Sequence, residues 1–154
     1  MIRCMNYELF MGEALAEARQ AASRGAPPVG AIAVMNEAMV ARGANRVAET
    51  KDPTAHAVIG VLREASRKLG TTRLTDVTIF TTHEPCPMCV GALLESDVAA
   101  IVFALPNTSD GAAGTVLQLA QHPALSRRLQ VVSGIRRAEA EELAADPVAV
   151  SPRA

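Results

Sequence analysis

Between Asn6 and Gly25 apolar side chains recur at Leu9, Phe10, Ala14, Leu15, Ala18 and Ala22, the spacing of one face of an α-helix, with Asn6 as N-cap and Gly25 as C-cap. Pro27-Pro28 stops that helix. Val29 to Met35 and Met39 to Ala44 then read as two strands of a hairpin around Asn36-Glu37. The next helix is expected to start from Asp52-Pro53-Thr54, with Pro53 near its first position and His56 almost at its beginning. Val58, Ile59, Leu62 and Leu69 give it an apolar side before Gly70. Val77 to Thr82 is a β-branched strand, Pro87 to Ser96 a short helix and Ala99 to Leu105 a second apolar strand. Further on come a Gly-rich loop (Asp110 to Gly114), a short helix near Val116 to Gln121, a strand from Leu129 to Val132 and a last helix from Arg137 to about Ala145. Strands alternating with helices imply a three-layer α/β/α sandwich, its mixed central sheet of about five strands carrying an antiparallel edge from the hairpin.

Composition narrows this picture. A chain of 154 residues, 49% hydrophobic, closes one core and is too short for two, so residues 1–146 are expected to form one domain and 147–154 a frayed tail. The formal charge of −1 supplies no net basic field toward nucleic acid or anionic membrane. With 3% aromatics and no Trp there is little material for a base-stacking platform. No apolar run approaches the roughly 20 residues needed to cross a bilayer. The opening residues lack a secretory pattern and the three cysteines are sparse, so a reducing cytoplasm is the expected compartment.

The candidate chemistry begins with Cys86-Pro-Met-Cys89, two thiols at i and i+3 on one side of a helix that starts at Pro87. Unpaired amides and the positive dipole end there favour thiolate, the form that binds zinc. A C-x-x-C pair alone also fits a thioredoxin-like redox couple or two buried structural thiols. The third candidate ligand is His56, 30 residues earlier at the start of another helix. One His and two Cys would leave a fourth tetrahedral position open, as in catalytic rather than structural zinc sites.

H-x-E followed by P-C-x-x-C is a signature of zinc-dependent nucleobase deaminases. Pro85-Cys-Pro-Met-Cys89 matches its second half. Pro28-Val-Gly-Ala31, Gly43-Ala-Asn-Arg46, Asp52-Pro-Thr-Ala-His-Ala57, Glu84-Pro-Cys-Pro-Met-Cys-Val-Gly-Ala92 and Gly111-Ala-Ala-Gly114 extend the match over about residues 7 to 145. On these motifs the chain resembles the zinc-dependent cytidine/deoxycytidylate deaminase superfamily, and within it bacterial tRNA adenosine deaminase and related nucleoside and nucleobase deaminases. The resemblance implies a cytidine deaminase-like fold and one Zn2+ held by His56, Cys86 and Cys89. It implies hydrolysis of an exocyclic amine to a carbonyl plus ammonia. It also implies a homodimer formed near the second and third helices, Asn45 hydrogen-bonding the base or sugar, and Val29, the backbone around Ala57 and Pro85 walling the base pocket.

One position departs from the family. Where a Glu stands two residues after the ligating His, this chain has Val58. That Glu carries protons between water, ring nitrogen and departing amine, and an aliphatic side chain cannot. A rate loss of at least roughly 10²–10⁴ is expected, with folding and zinc binding retained. Every other motif position is intact, which favours an altered active enzyme over a natural chain that kept only a binding role. His83 and Glu84 lie near Cys86 as stand-in proton carriers, although Glu84 matches the family's structural Glu and tRNA deaminases usually carry an apolar residue in place of His83.

Pro106-Asn107 stands where tRNA deaminases commonly show Arg-Asp, Ser126-Arg127-Arg128 replaces their Asn-His-Arg, and the C-terminal segment lacks their aromatic and basic grip. Arg127, Arg128, Arg136 and Arg137 speak for tRNA. The expected substrate is a free nucleobase or nucleoside. The alternatives are tRNA adenosine-to-inosine deamination and a non-catalytic nucleobase- or zinc-binding protein.

Overall fold

A computed structural model of the chain describes residues 4–145. The expected tail at 147–154 lies outside the described residues. Helix α1 (Tyr7–Ser23) is capped by Asn6, whose Oδ1 accepts the Leu9 amide at 3.0 Å. At its other end Arg24 is the cap, and Gly25 follows with φ of 75°. Strands β1 (Gly30–Met35) and β2 (Ala38–Ala44) form the hairpin, with Asn36 and Glu37 both at positive φ, as a two-residue type I′ turn requires. A short helix that the sequence pattern does not announce, α2 (Val47–Thr50), precedes α3 (Ala57–Leu69). Then follow β3 (Val77–His83), α4 (Pro87–Glu95), β4 (Ala100–Leu105), β5 (Gln130–Ser133) and α5 (Arg137–Ala144).

The sheet order is β2-β1-β3-β4-β5. β1 runs antiparallel to β2 and β3, whereas β3, β4 and β5 are parallel. This is the expected mixed five-stranded sheet of an α/β fold. Alternation along the strands divides the core. Ala31, Ala33, Ile79, Ile101 and Phe103 face a cluster with residues of α3 and α4. Ile32, Val34, Phe80, Val102 and Ala104 face α1 and α5. α1 comes so close to β1 that a Cβ on Gly30 would lie 2.3 Å from the Ala14 carbonyl oxygen and 2.5 Å from the Ala18 amide.

Two expectations are corrected. Asp52-Pro53-Thr54 does not begin a helix: Asp52 Oδ1 accepts the Thr54 amide at 2.8 Å and its hydroxyl at 2.7 Å, closing a turn, and α3 starts only after His56. The helix expected near Val116 to Gln121 is absent. The amides of Val116 and Leu117 donate back to the Gly111 carbonyl, and Gly114 donates to the Leu117 carbonyl. Those bonds close a tight loop in place of an i to i−4 ladder and leave Val116 and Leu117 exposed. No helix among the described residues is long and apolar enough to cross a membrane.

Candidate metal centre and base cavity

His56 and Cys86 occupy equivalent positions: each is the N-cap of a helix, with extended backbone and no side-chain hydrogen bond to the helix amides. α3 and α4 cover the same face of the sheet, so the two helix starts meet at one edge. Cys89, one turn into α4, is buried and points to the same place. His56 Nδ1 is 3.6 Å from Cys86 Sγ and 3.5 Å from Cys89 Sγ, and the three donor atoms lie within 4.8 Å of one another. Tetrahedral zinc, with Zn–S of about 2.3 Å and Zn–N of about 2.0–2.1 Å, would set nitrogen and sulfur roughly 3.5 Å apart. The donor set therefore fits zinc in both element and spacing.

The electrostatics agree. The hydrogen bond from the Cys89 thiol, followed by the His56 interaction, pulls the Cys86 thiol down to about 4 against the opposing effect of burial. The same bond and burial push Cys89 up. One thiolate is thus ready at the N-terminus of α4.

Beneath the donors lies a small cavity of about 10 Å³, lined by His56, Cys86 and Cys89 together with Val29, Ala57, Val58, Pro85, Thr81, His83 and Glu84. Val29, Ala57 and Pro85, the wall residues expected from the sequence, all line it, whereas Asn45, expected to hydrogen-bond the base or sugar, is not among its lining residues. Asn45 adjoins it: its amide donates to the Val29 carbonyl at 3.1 Å and its Oδ1 accepts the Val47 amide at 3.1 Å. Its Nδ2 is buried and has no hydrogen-bond partner among the described residues, a costly state that a ligand acceptor would relieve. Outside the donors an open mouth of about 320 Å³ is lined by Pro53, His56, Cys86, Pro87, Met88, Asn107 and Asp110.

Glu84 holds that mouth. Its buried carboxylate accepts the amides of Asn107 (3.3 Å), Ala113 (3.0 Å) and Thr115 (3.1 Å) and the Thr115 hydroxyl. A Cβ on Gly111 would lie 2.5 Å from the Asn107 carbonyl oxygen and 2.6 Å from the Glu84 carboxyl, so the loop closes around the acid only with glycine there. Sequence reasoning missed Pro53, Thr81, Met88 and Asp110. Alternation along β3 puts Thr81 on the face of Ile79 and was a usable signal. Nothing local marks the others.

Residues 5–105 match the family model of the cytidine and deoxycytidylate deaminase zinc-binding region. The tRNA-specific adenosine deaminase of Bacillus subtilis is 39% identical over 132 residues, covering 86% of this chain and 82% of that protein. The guanine deaminase of the same organism is 38% identical over 111 residues, 71% of each chain. A longer relative, the chloroplastic tRNA(adenine(34)) deaminase of Arabidopsis thaliana, is 46% identical over 112 residues, 73% of this chain but only 9% of its own length. A solved structure from work on A-to-I editing by tRNA:A34 deaminases superposes with a TM-score of 0.84 at 34% identity, covering 88% of this chain and 98% of that one.

Proposed function

Because the chain belongs to the cytidine and deoxycytidylate deaminase zinc-binding family, we propose that its site is built to hydrolyse the exocyclic amine of a free nucleobase or nucleoside, and that Val58 leaves it catalytically impaired. The observation that carries this reading is the placement of Val58, 3% exposed, on the wall of the cavity that His56, Cys86 and Cys89 also line. His56, Cys86 and Cys89 would hold the zinc, which when bound supplies the Lewis acidity that makes water a nucleophile near neutral pH. Asn45 offers its unpartnered amide to the base, while Val29, Ala57 and Pro85 exclude water from its faces. The proton carrier is what is missing. The carboxyl that lines the cavity, Glu84, is committed to four hydrogen bonds within the loop and is not free to replace it.

A small substrate is supported by the mouth, which has an acid, Asp110, and no Lys or Arg among its lining residues. The arginines that the sequence offers for phosphate contacts are engaged elsewhere. Arg127 binds Asp97 and the Leu94 carbonyl, Arg128 the Pro123 carbonyl, Arg136 Glu139 and Arg137 Glu141. The second reading, adenosine deamination in a tRNA, draws its support from the Bacillus subtilis tRNA-specific relative and the 0.84 superposition. We also propose a homodimer through the groove between α3 and α4, where Ile59, Leu62 and Ala92 lie together. Sedimentation at two concentrations checks it.

The deciding experiment measures ammonia release by this chain and by Val58→Glu on bases, nucleosides and an anticodon stem-loop. A gain of at least roughly 10²-fold on bases or nucleosides is expected. A gain confined to the stem-loop would transfer the conclusion to the tRNA reading. No gain on any of them would leave a binding protein.

A further inference from the structure

We infer that His83 is a specificity-determining residue of this cavity, an imidazole that presents its Nε2–H to the edge of a bound base and so favours an oxo group over an amino group there. The inference rests on reading the cavity as the base site. His83 ends β3, and alternation puts it with Ile79 and Thr81 on the face toward α3 and α4, opposite Phe80. It lines the cavity with Val58, Cys86 and Cys89. Val29, Ala57, Val58 and Pro85 contribute only apolar side chains, Thr81 adds a hydroxyl that both donates and accepts and so does not discriminate oxo from amino, and Glu84 is bonded within the loop. A polar group on such a wall therefore has a large effect on what the wall selects.

The hydrogen bonds assign the tautomer. Thr82 Oγ1 accepts the Gly30 amide at 3.2 Å and lies 3.4 Å from His83 Nδ1. No other acceptor for that hydroxyl proton is present among the described residues, so it goes to Nδ1 and leaves the ring hydrogen on Nε2. Burial holds the imidazole down at about 4, so the neutral ring is the form present near pH 7. Nε2 has no hydrogen-bond partner among the described residues. A carbonyl oxygen satisfies such a donor, whereas an amino group meets it donor to donor and leaves both unpaired.

The test uses the zinc-loaded full chain and calorimetric titration with guanine against 2,6-diaminopurine, a pair that shares the 2-amino group and differs by oxo and amino only at C6. The oxo member should bind roughly tenfold tighter. His83→Leu should bring the ratio near one with zinc content unchanged, and His83→Gln, whose amide N–H replaces Nε2–H, should restore it. Imidazole nitrogen NMR should show Nε2–H in the free chain and a shift of that resonance with the oxo base only. Binding of both members without preference, a preference that survives in His83→Leu, or an Nδ1–H tautomer each overturns the inference while leaving the base-site reading intact. Failure of every base to bind overturns both.

Discussion

The methyl groups of Val58 fill a buried wall where a carboxylate would be desolvated, so the substitution proposed to supply a proton carrier should also cost stability. Val58→Glu is expected to lower stability by about 1–3 kcal/mol, the usual cost of burying a polar group with incomplete hydrogen bonding. Thermal denaturation of the two chains under identical zinc loading measures it. An unchanged Tm would mean that the wall is wetter than the burial of Val58 indicates. His83 gives a second prediction at this scale. Its imidazole is held at about 4 by burial against an ordinary value of 6.5, so between those values the unfolded chain binds more protons than the folded one. The contribution of His83 is therefore fully present above about pH 6.5 and is lost as pH falls toward 4. Urea midpoints measured across that window should fall with pH in this chain and fall less in His83→Leu.

Elements were readable wherever a local pattern decided them. The Asn6 cap, the Asn36-Glu37 turn, the β-branched run from Val77 and Pro87 at a helix start each act on their own neighbours, and the structure places each where the sequence does. Residues 116–121 were not readable. Their apolar residues suggest a helix, but the backbone is organised by Glu84, a carboxylate distant in sequence, and by the close approach of Gly111. Tertiary hydrogen bonds override propensity there. Glu84→Gln keeps the shape but replaces an acceptor oxygen with an amide nitrogen. The Ala113 and Thr115 amides should then exchange at least tenfold faster, read by hydrogen exchange, while the core amides of β3 stay protected. Gly30→Ala should be more damaging, because its Cβ meets helix backbone rather than a flexible side-chain end. A loss of about 1–3 kcal/mol is expected from denaturant unfolding.

At the scale of the molecule, the convergence of His56, Cys86 and Cys89 was readable and much of their surroundings was not. His56, Cys86 and Cys89 belong to short motifs at helix starts, and Pro53 and Met88 sit in those same stretches without a donor to mark them, whereas Asp110 reaches the mouth only through the folding of a separate segment. The same assembly determines what zinc does for stability. Both faces of the sheet already carry buried clusters built almost wholly from aliphatic and aromatic side chains, Cys89 being the one donor buried among them, unlike small domains whose fold is created by their metal. Removing zinc should therefore leave the chain folded at 25 °C, with its far-ultraviolet circular dichroism intact, and lower Tm through linkage. A metal at a thousandfold excess over its Kd contributes about 4 kcal/mol. The loss should be focused where α3 meets α4, since one imidazole and two sulfurs tie those helix starts together. Exchange at the first amides of both helices should rise on chelation and fall when zinc is restored. A chain whose Tm ignores chelation, and whose Cys86 and Cys89 thiols vanish on oxidation in a disulfide that reductant reverses, would instead be carrying a redox pair.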